Sequence, residues 1–201
     1  METVDLPVTK IKQATTPPLK KLRFKAFLTK QGRVFLSKTH ENESSIEELR
    51  NRGYGKLMNQ KLFLKPYEAL FLLTKNVIEL VNEKSAKEVN FQKLLHVCER
   101  LDPNIWMKFL IYRDLRSRGY VVREGFGLGI DFRVYEKGMY KKGTAKYLIL
   151  GIQEGKPISI EELTQILRNV QSLKKKLILA VLSRRGEVVY YSLSRLTLTK
   201  I

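Results

Sequence analysis

The second half of the chain is punctuated so that strands and helices must alternate. Asp102-Pro103 sets a capping side chain and a first-turn proline ahead of a helix that carries Trp106, Phe109, Leu110 and Tyr112, and Gly119 stops it. Strand-like runs follow at 120–123, 130–135 and 145–152. The glycines at 125, 127 and 129 lie between the first two runs with no helix after them, so they read as a tight strand–strand connection rather than a phosphate cradle. Ser159-Ile-Glu-Glu162 is a capping box opening a helix with Leu163, Ile166, Leu167 and Val170 inside. Leu177–Leu182 and Val188–Ser192 form a last hairpin around Arg184-Arg185-Gly186. Its final strand puts Val188, Tyr190 and Ser192 on one face and Val189, Tyr191 and Leu193 on the other. Bulky groups on both faces point to a partner against one of them.

The first half mixes shorter elements. Ala26–Thr29 and Val34–Ser37 flank Lys30-Gln31-Gly32 as a hairpin, and Ser45-Ile-Glu-Glu48 predicts a capped helix running to about Arg52. Gly53 and Gly55 leave a turn around Tyr54, and Lys61–Lys65 reads as a short strand. Pro66 starts a helix with Ala69, Leu70, Leu72 and Leu73 on its buried side. Asn90 caps another, with an apolar stripe of Phe91, Leu94, Leu95, Cys98 and Leu101. The fold class expected is α+β, a mixed arrangement in which a small α+β domain over 21–101 precedes a domain over 102–201 built on a mixed sheet flanked by helices. Residues 1–20, with Pro17-Pro18 and little apolar periodicity, read as a flexible basic arm.

Charge narrows the partners. In 201 residues, Lys and Arg number 38 against 20 Asp and Glu, a formal charge of +18. Ion-pair networks do not account for so large an excess, and a polyanion, nucleic acid first, is the expected partner. The single cysteine, Cys98, allows no internal disulfide and reads as a buried thiol. The start lacks the layout of a signal peptide and no apolar run approaches bilayer length, so a soluble, cytoplasmic protein with no membrane partner is expected.

Three stretches carry a resemblance. Gly119–Tyr135, Thr144-Ala-Lys-Tyr-Leu-Ile149 and Leu173–Ala180, in that order, resemble the catalytic domain of archaeal tRNA-splicing endonucleases. Glu48–Gly55 and Leu62–Leu70 look like the family's N-terminal domain, so the resemblance spans nearly the whole chain. It implies cleavage of precursor tRNA at bulge–helix–bulge sites, with no metal or other cofactor, leaving a 2′,3′-cyclic phosphate and a 5′-hydroxyl. That chemistry needs a base at the ribose 2′-OH, an acid at the leaving 5′-oxygen and a cation on the phosphorane oxygens. By position the resemblance assigns the base to Tyr135 and the cation to Lys175. The family's histidine position is Thr144, whose hydroxyl has no proton-transfer pKa near neutrality. Both histidines, His40 in a polar loop and His96 on a helix as a partly buried side chain, belong to the first half.

A damaged triad fits the structural subunit that some family members pair with a homologous catalytic subunit in an α2β2 tetramer. Arg168 matches an arginine that clamps a bulge base, and Lys174, Lys176, Arg184 and Arg185 are further RNA-binding candidates. The loop Ser183–Glu187 is basic where the family's partner-inserting loop is often acidic, so it could meet an acidic partner or the RNA backbone. Other readings stay open: an active metal-independent endonuclease in its own right, a metal-dependent nuclease using Asp131 and Glu154 with Lys156, or a stand-alone RNA-binding protein.

Overall fold

The computed structural model describes residues 23–127 and 129–194. These divide into two compact units between Arg113 and Asp114. The expected arm over 1–20 lies outside the described residues.

The first unit holds one five-stranded sheet together with helices. Its elements are β1 (Phe24–Leu28), β2 (Val34–Ser37), α1 (Glu43–Asn51), β3 (Lys56–Met58), β4 (Lys61–Leu64), α2 (Pro66–Thr74), β5 (Ile78–Asn82) and α3 (Phe91–Glu99). The strands lie in the order β3-β4-β2-β1-β5. Phe24, Ala26, Leu28, Leu36, Leu62, Leu64, Ile78 and Leu80 are buried and form the sheet's contribution to the core. The β1–β2 hairpin forms as expected, Ala26 opposite Leu36. Glu68 in the first turn of α2 is a buried carboxylate whose Oε2 accepts the N–H groups of Lys65 (2.9 Å) and Gly55 (3.1 Å), tying the helix start to the turn after α1. Asn90 accepts the Lys93 N–H and caps α3.

Several local expectations need correction. Ser45 does not cap α1, which begins two residues earlier. It is entered from a 3₁₀ turn at His40–Asn42, where Asn42 Oδ1 accepts the Thr39 N–H at 2.8 Å. β3 and β5 had no strand signal: β3 is three residues long, and β5 follows α2 through an Asn76 turn to run parallel to β1. Leu101, expected on the buried stripe, is 60% exposed, although it touches Gly32 of the hairpin turn. His96 is exposed rather than partly buried.

The division falls within α4 (Ile105–Ser117). The second unit continues with β6 (Val121–Gly127), β7 (Ile130–Tyr135), β8 (Tyr147–Gln153), α5 (Ile160–Ser172), β9 (Lys176–Leu182) and β10 (Val188–Leu193). Their order is β10-β9-β8-β7-β6, and only β8 and β9 run parallel, because α5 is the crossover between them. One face packs Leu148, Leu150, Leu177 and Leu179 against Ile166 and Val170 of α5. The opposite face buries Phe132, Val134, Tyr147, Ile149, Ile178, Ala180 and Tyr190. Tyr190 donates its hydroxyl proton to Asp114 Oδ2 at 2.7 Å, and Arg118 Nε donates to the same oxygen at 2.8 Å. Burial, then the Asp114 carboxylate, pushes the Tyr190 phenol up, so it stays a donor.

On β10, Tyr190 is buried on one face, while Tyr191 and Leu193 pack partly buried on the α5 cluster on the other. Val189, on the Tyr191 face, stays 38% exposed.

Candidate functional site

The sheet register brings the first set of candidates to one end. Val134 pairs with Tyr147, and Tyr147 pairs with Lys176. One step outward, Tyr135 at the end of β7, Lys146 before β8 and Lys175 before β9 share the next row. Side chains alternate across a strand, so this row faces the α5 side. Tyr135 and Lys175 are half-buried, and Thr144 is exposed two residues before Lys146.

Each position is set by local backbone. The C-terminus of α5 closes with Lys174 N–H on Gln171 O (2.9 Å) and Lys175 N–H on Val170 O (3.2 Å), with Lys174 left-handed at φ +54°. This is a Schellman closure in which a lysine takes the place usually given to glycine. It turns the chain from helix into β9 and fixes Lys175 at the junction. The 136–144 connection is held by Met139 O, which accepts the N–H groups of Lys142 and Gly143. Lys175 Nζ then donates to Thr144 Oγ1 at 2.5 Å. Tyr140 meets the Tyr135 ring edge-on with centroids 5.2 Å apart. Lys146 pairs with Glu136 at 2.6 Å, and that bond raises its pKa and keeps it a cation.

Thr144 and Lys175 therefore meet, and Tyr135 lies at the same end of the sheet two strands away, while the RNA-binding candidates divide. Lys174 and Lys176 flank Lys175 and are exposed, and Arg168 is exposed one turn before the end of α5. Arg184 and Arg185 sit in the β9–β10 turn at the other end of the sheet, ~20 Å away along β9 at ~3.3 Å per residue. The Arg184 N–H is held by Glu154 Oε2 at 2.8 Å. His40 and His96 both lie in the first unit.

The carboxylates of the metal-dependent reading are occupied elsewhere. Asp131 Oδ2 accepts the Gly151 N–H at 2.8 Å across β7–β8, and Glu154 holds the hairpin turn. Among the described residues no three His, Cys, Asp or Glu side chains converge as a metal site would require. Also among them, no helix is long and apolar enough to cross a membrane. Cys98 is buried, and burial pushes its thiol up to about 11, which keeps it protonated and unreactive at neutral pH.

Family comparisons agree with this architecture. The model of the tRNA intron endonuclease N-terminal domain matches residues 26–95, and that of its catalytic C-terminal domain matches 105–190. The chain is 36% identical over 157 residues to the tRNA-splicing endonuclease of Methanococcus maripaludis, covering 78% of this chain and 88% of that one. It is 34% identical to the Thermococcus onnurineus enzyme of the same name (76% and 88% covered) and 34% identical to that of Pyrococcus furiosus (75% and 86%). The chain belongs to the tRNA-splicing endonuclease family.

In this family member, sequence reasoning missed one pair. β6 and β7 are out of step between Glu124 and Gly127, a β-bulge. Strict alternation would put Phe126 on the face of Val122, against the core. Instead the residue is 57% exposed, with the Arg133 guanidinium 4.4 Å from its ring centroid. Leaving a phenylalanine in water forgoes ~1.5–3 kcal/mol, and an exposed cation–π contact offsets only ~0.5–1 kcal/mol. The run of glycines was the available signal, since bulges re-aim side chains near functional sites.

Proposed function

We propose that this chain is the structural, RNA-binding subunit of a cytoplasmic tRNA-splicing endonuclease, paired with a homologous His-bearing catalytic subunit as α2β2. The complex would cut precursor tRNA at bulge–helix–bulge sites, leaving a 2′,3′-cyclic phosphate and a 5′-hydroxyl without metal. Tyr135 stands where the resemblance requires the base and Lys175 where it requires the cation. The observation that carries the reading is the bond from Lys175 Nζ to Thr144 Oγ1. Threonine can hold the lysine, but it cannot protonate a leaving oxygen at neutral pH. Loss of a general acid lowers a rate by ~10²–10⁴-fold. RNA contact falls to Lys174, Lys176 and Arg168 at the Tyr135 end and to Arg184 and Arg185 at the other.

The test is cleavage of an intron-containing precursor tRNA in chelator, with the chain alone and after mixing with a His-bearing family subunit from the same source. The expected result is no cutting alone and cutting in the mixture, with both chains in one particle. Metal-free turnover by the solitary chain would overturn the structural role. Salt-dependent RNA binding with no stable partner would mark a stand-alone RNA-binding protein instead.

A further inference from the structure

The bulged β6–β7 hairpin carries an exposed aromatic ring that neither the core nor the Tyr135 end of the sheet uses. Three observations bear on it. The ring of Phe126 is backed by the Arg133 guanidinium, so the open surface is the opposite ring face and its edge. Arg133 lies two residues before Tyr135 on β7, on the same face and ~6.7 Å away at strand rise. Its Nε is buried with no hydrogen-bond partner among the described residues.

The bulge is rigidly specified. A Cβ at Gly125 would fall 2.0 Å from Ile130 O, so only glycine permits the close crossing that turns Phe126 outward. A flat apolar ring on a cationic base beside a ribonuclease-type tyrosine matches single-stranded nucleic acid, whose bases stack on aromatics while its phosphates meet arginine. We propose that Phe126, backed by Arg133, is a stacking platform for one unpaired nucleobase of precursor tRNA next to the phosphate at the Tyr135 end. The platform rests on the precursor-tRNA reading above.

The test uses the full chain and a bulge–helix–bulge RNA carrying 2-aminopurine at single bulge positions, with a fully paired duplex as control. Fluorescence at one bulge position is expected to be quenched on binding. F126A should abolish that quenching and weaken binding about 10-fold, and F126W should preserve both. F126L, which keeps apolar bulk but has no π-face, should behave as F126A and guards against a folding artefact. Unchanged quenching and affinity in F126A and F126L would overturn the platform while leaving the tRNA reading intact. Unchanged RNA binding with a loss of oligomer mass would overturn it by showing that Phe126 meets protein. Failure of the wild-type chain to prefer bulged RNA over duplex would defeat the platform and the tRNA reading together.

Discussion

At the residue scale, the proposed structural role turns on position 144. Thr144 offers Lys175 an acceptor, and the pair keeps the lysine at the same sheet end as Tyr135, two strands away. A histidine there would add the missing proton donor without disturbing strand or helix, because Thr144 is exposed in the 136–144 connection. Thr144→His is expected to give the solitary chain measurable cleavage of precursor tRNA, ~10²-fold or more above wild type. An imidazole acting as acid must be protonated, so the gained rate should fall as pH rises past ~6.5. A pH–rate profile of the variant checks both the gain and its sign. No gain at any pH would mean that Tyr135 and Lys175 are not arranged around a phosphate. That position 144 is threonine rather than histidine was legible in the sequence. The lysine–threonine bond was not, because it joins residues 31 apart that only the β7-β8-β9 order brings together.

At the element scale, the second unit was largely legible, and the reason is its punctuation. Gly119 closes α4 with its own N–H on Arg116 O and the Tyr120 N–H on Leu115 O, at φ +89°. Gly53 and Asn76 close α1 and α2 in the same way. These residue types announce a left-handed position. Lys174 does not, yet it closes α5 with the same pair of bonds at φ +54°. A non-glycine residue in that conformation costs ~1–2 kcal/mol, against ~0.5–1 kcal/mol of extra chain entropy lost by glycine. Lys174→Gly is therefore expected to raise stability by ~0.5–1 kcal/mol in urea unfolding. A loss of stability would show that the lysine side chain has a compensating contact. In the first unit β3 and β5 were illegible for a different reason. β5 owes its place to parallel pairing with β1, a long-range contact that no local pattern encodes.

At the scale of the whole molecule, the formal charge of +18 needs a distribution before it explains anything. The sequence pointed to a polyanion but could not say that its arginine and lysine candidates would fall at two ends of one sheet. β9 separates Lys174 and Lys176 from Arg184 and Arg185 by ~20 Å, so no single phosphate can touch both groups. A ligand that uses both must be an extended or folded RNA spanning that distance. Counterion release then makes a quantitative demand. If all five cations, with Arg168, meet phosphates, log K should fall with log salt at a slope of about −4. Replacing Arg184 and Arg185 with alanine should reduce the slope by ~2 for precursor tRNA. The same change should leave the slope untouched for a short bulged RNA too small to reach the β9–β10 turn. Equal effects on the two ligands would place both RNAs across that turn, and no effect on either would leave the arginines free to meet an acidic surface of the partner subunit.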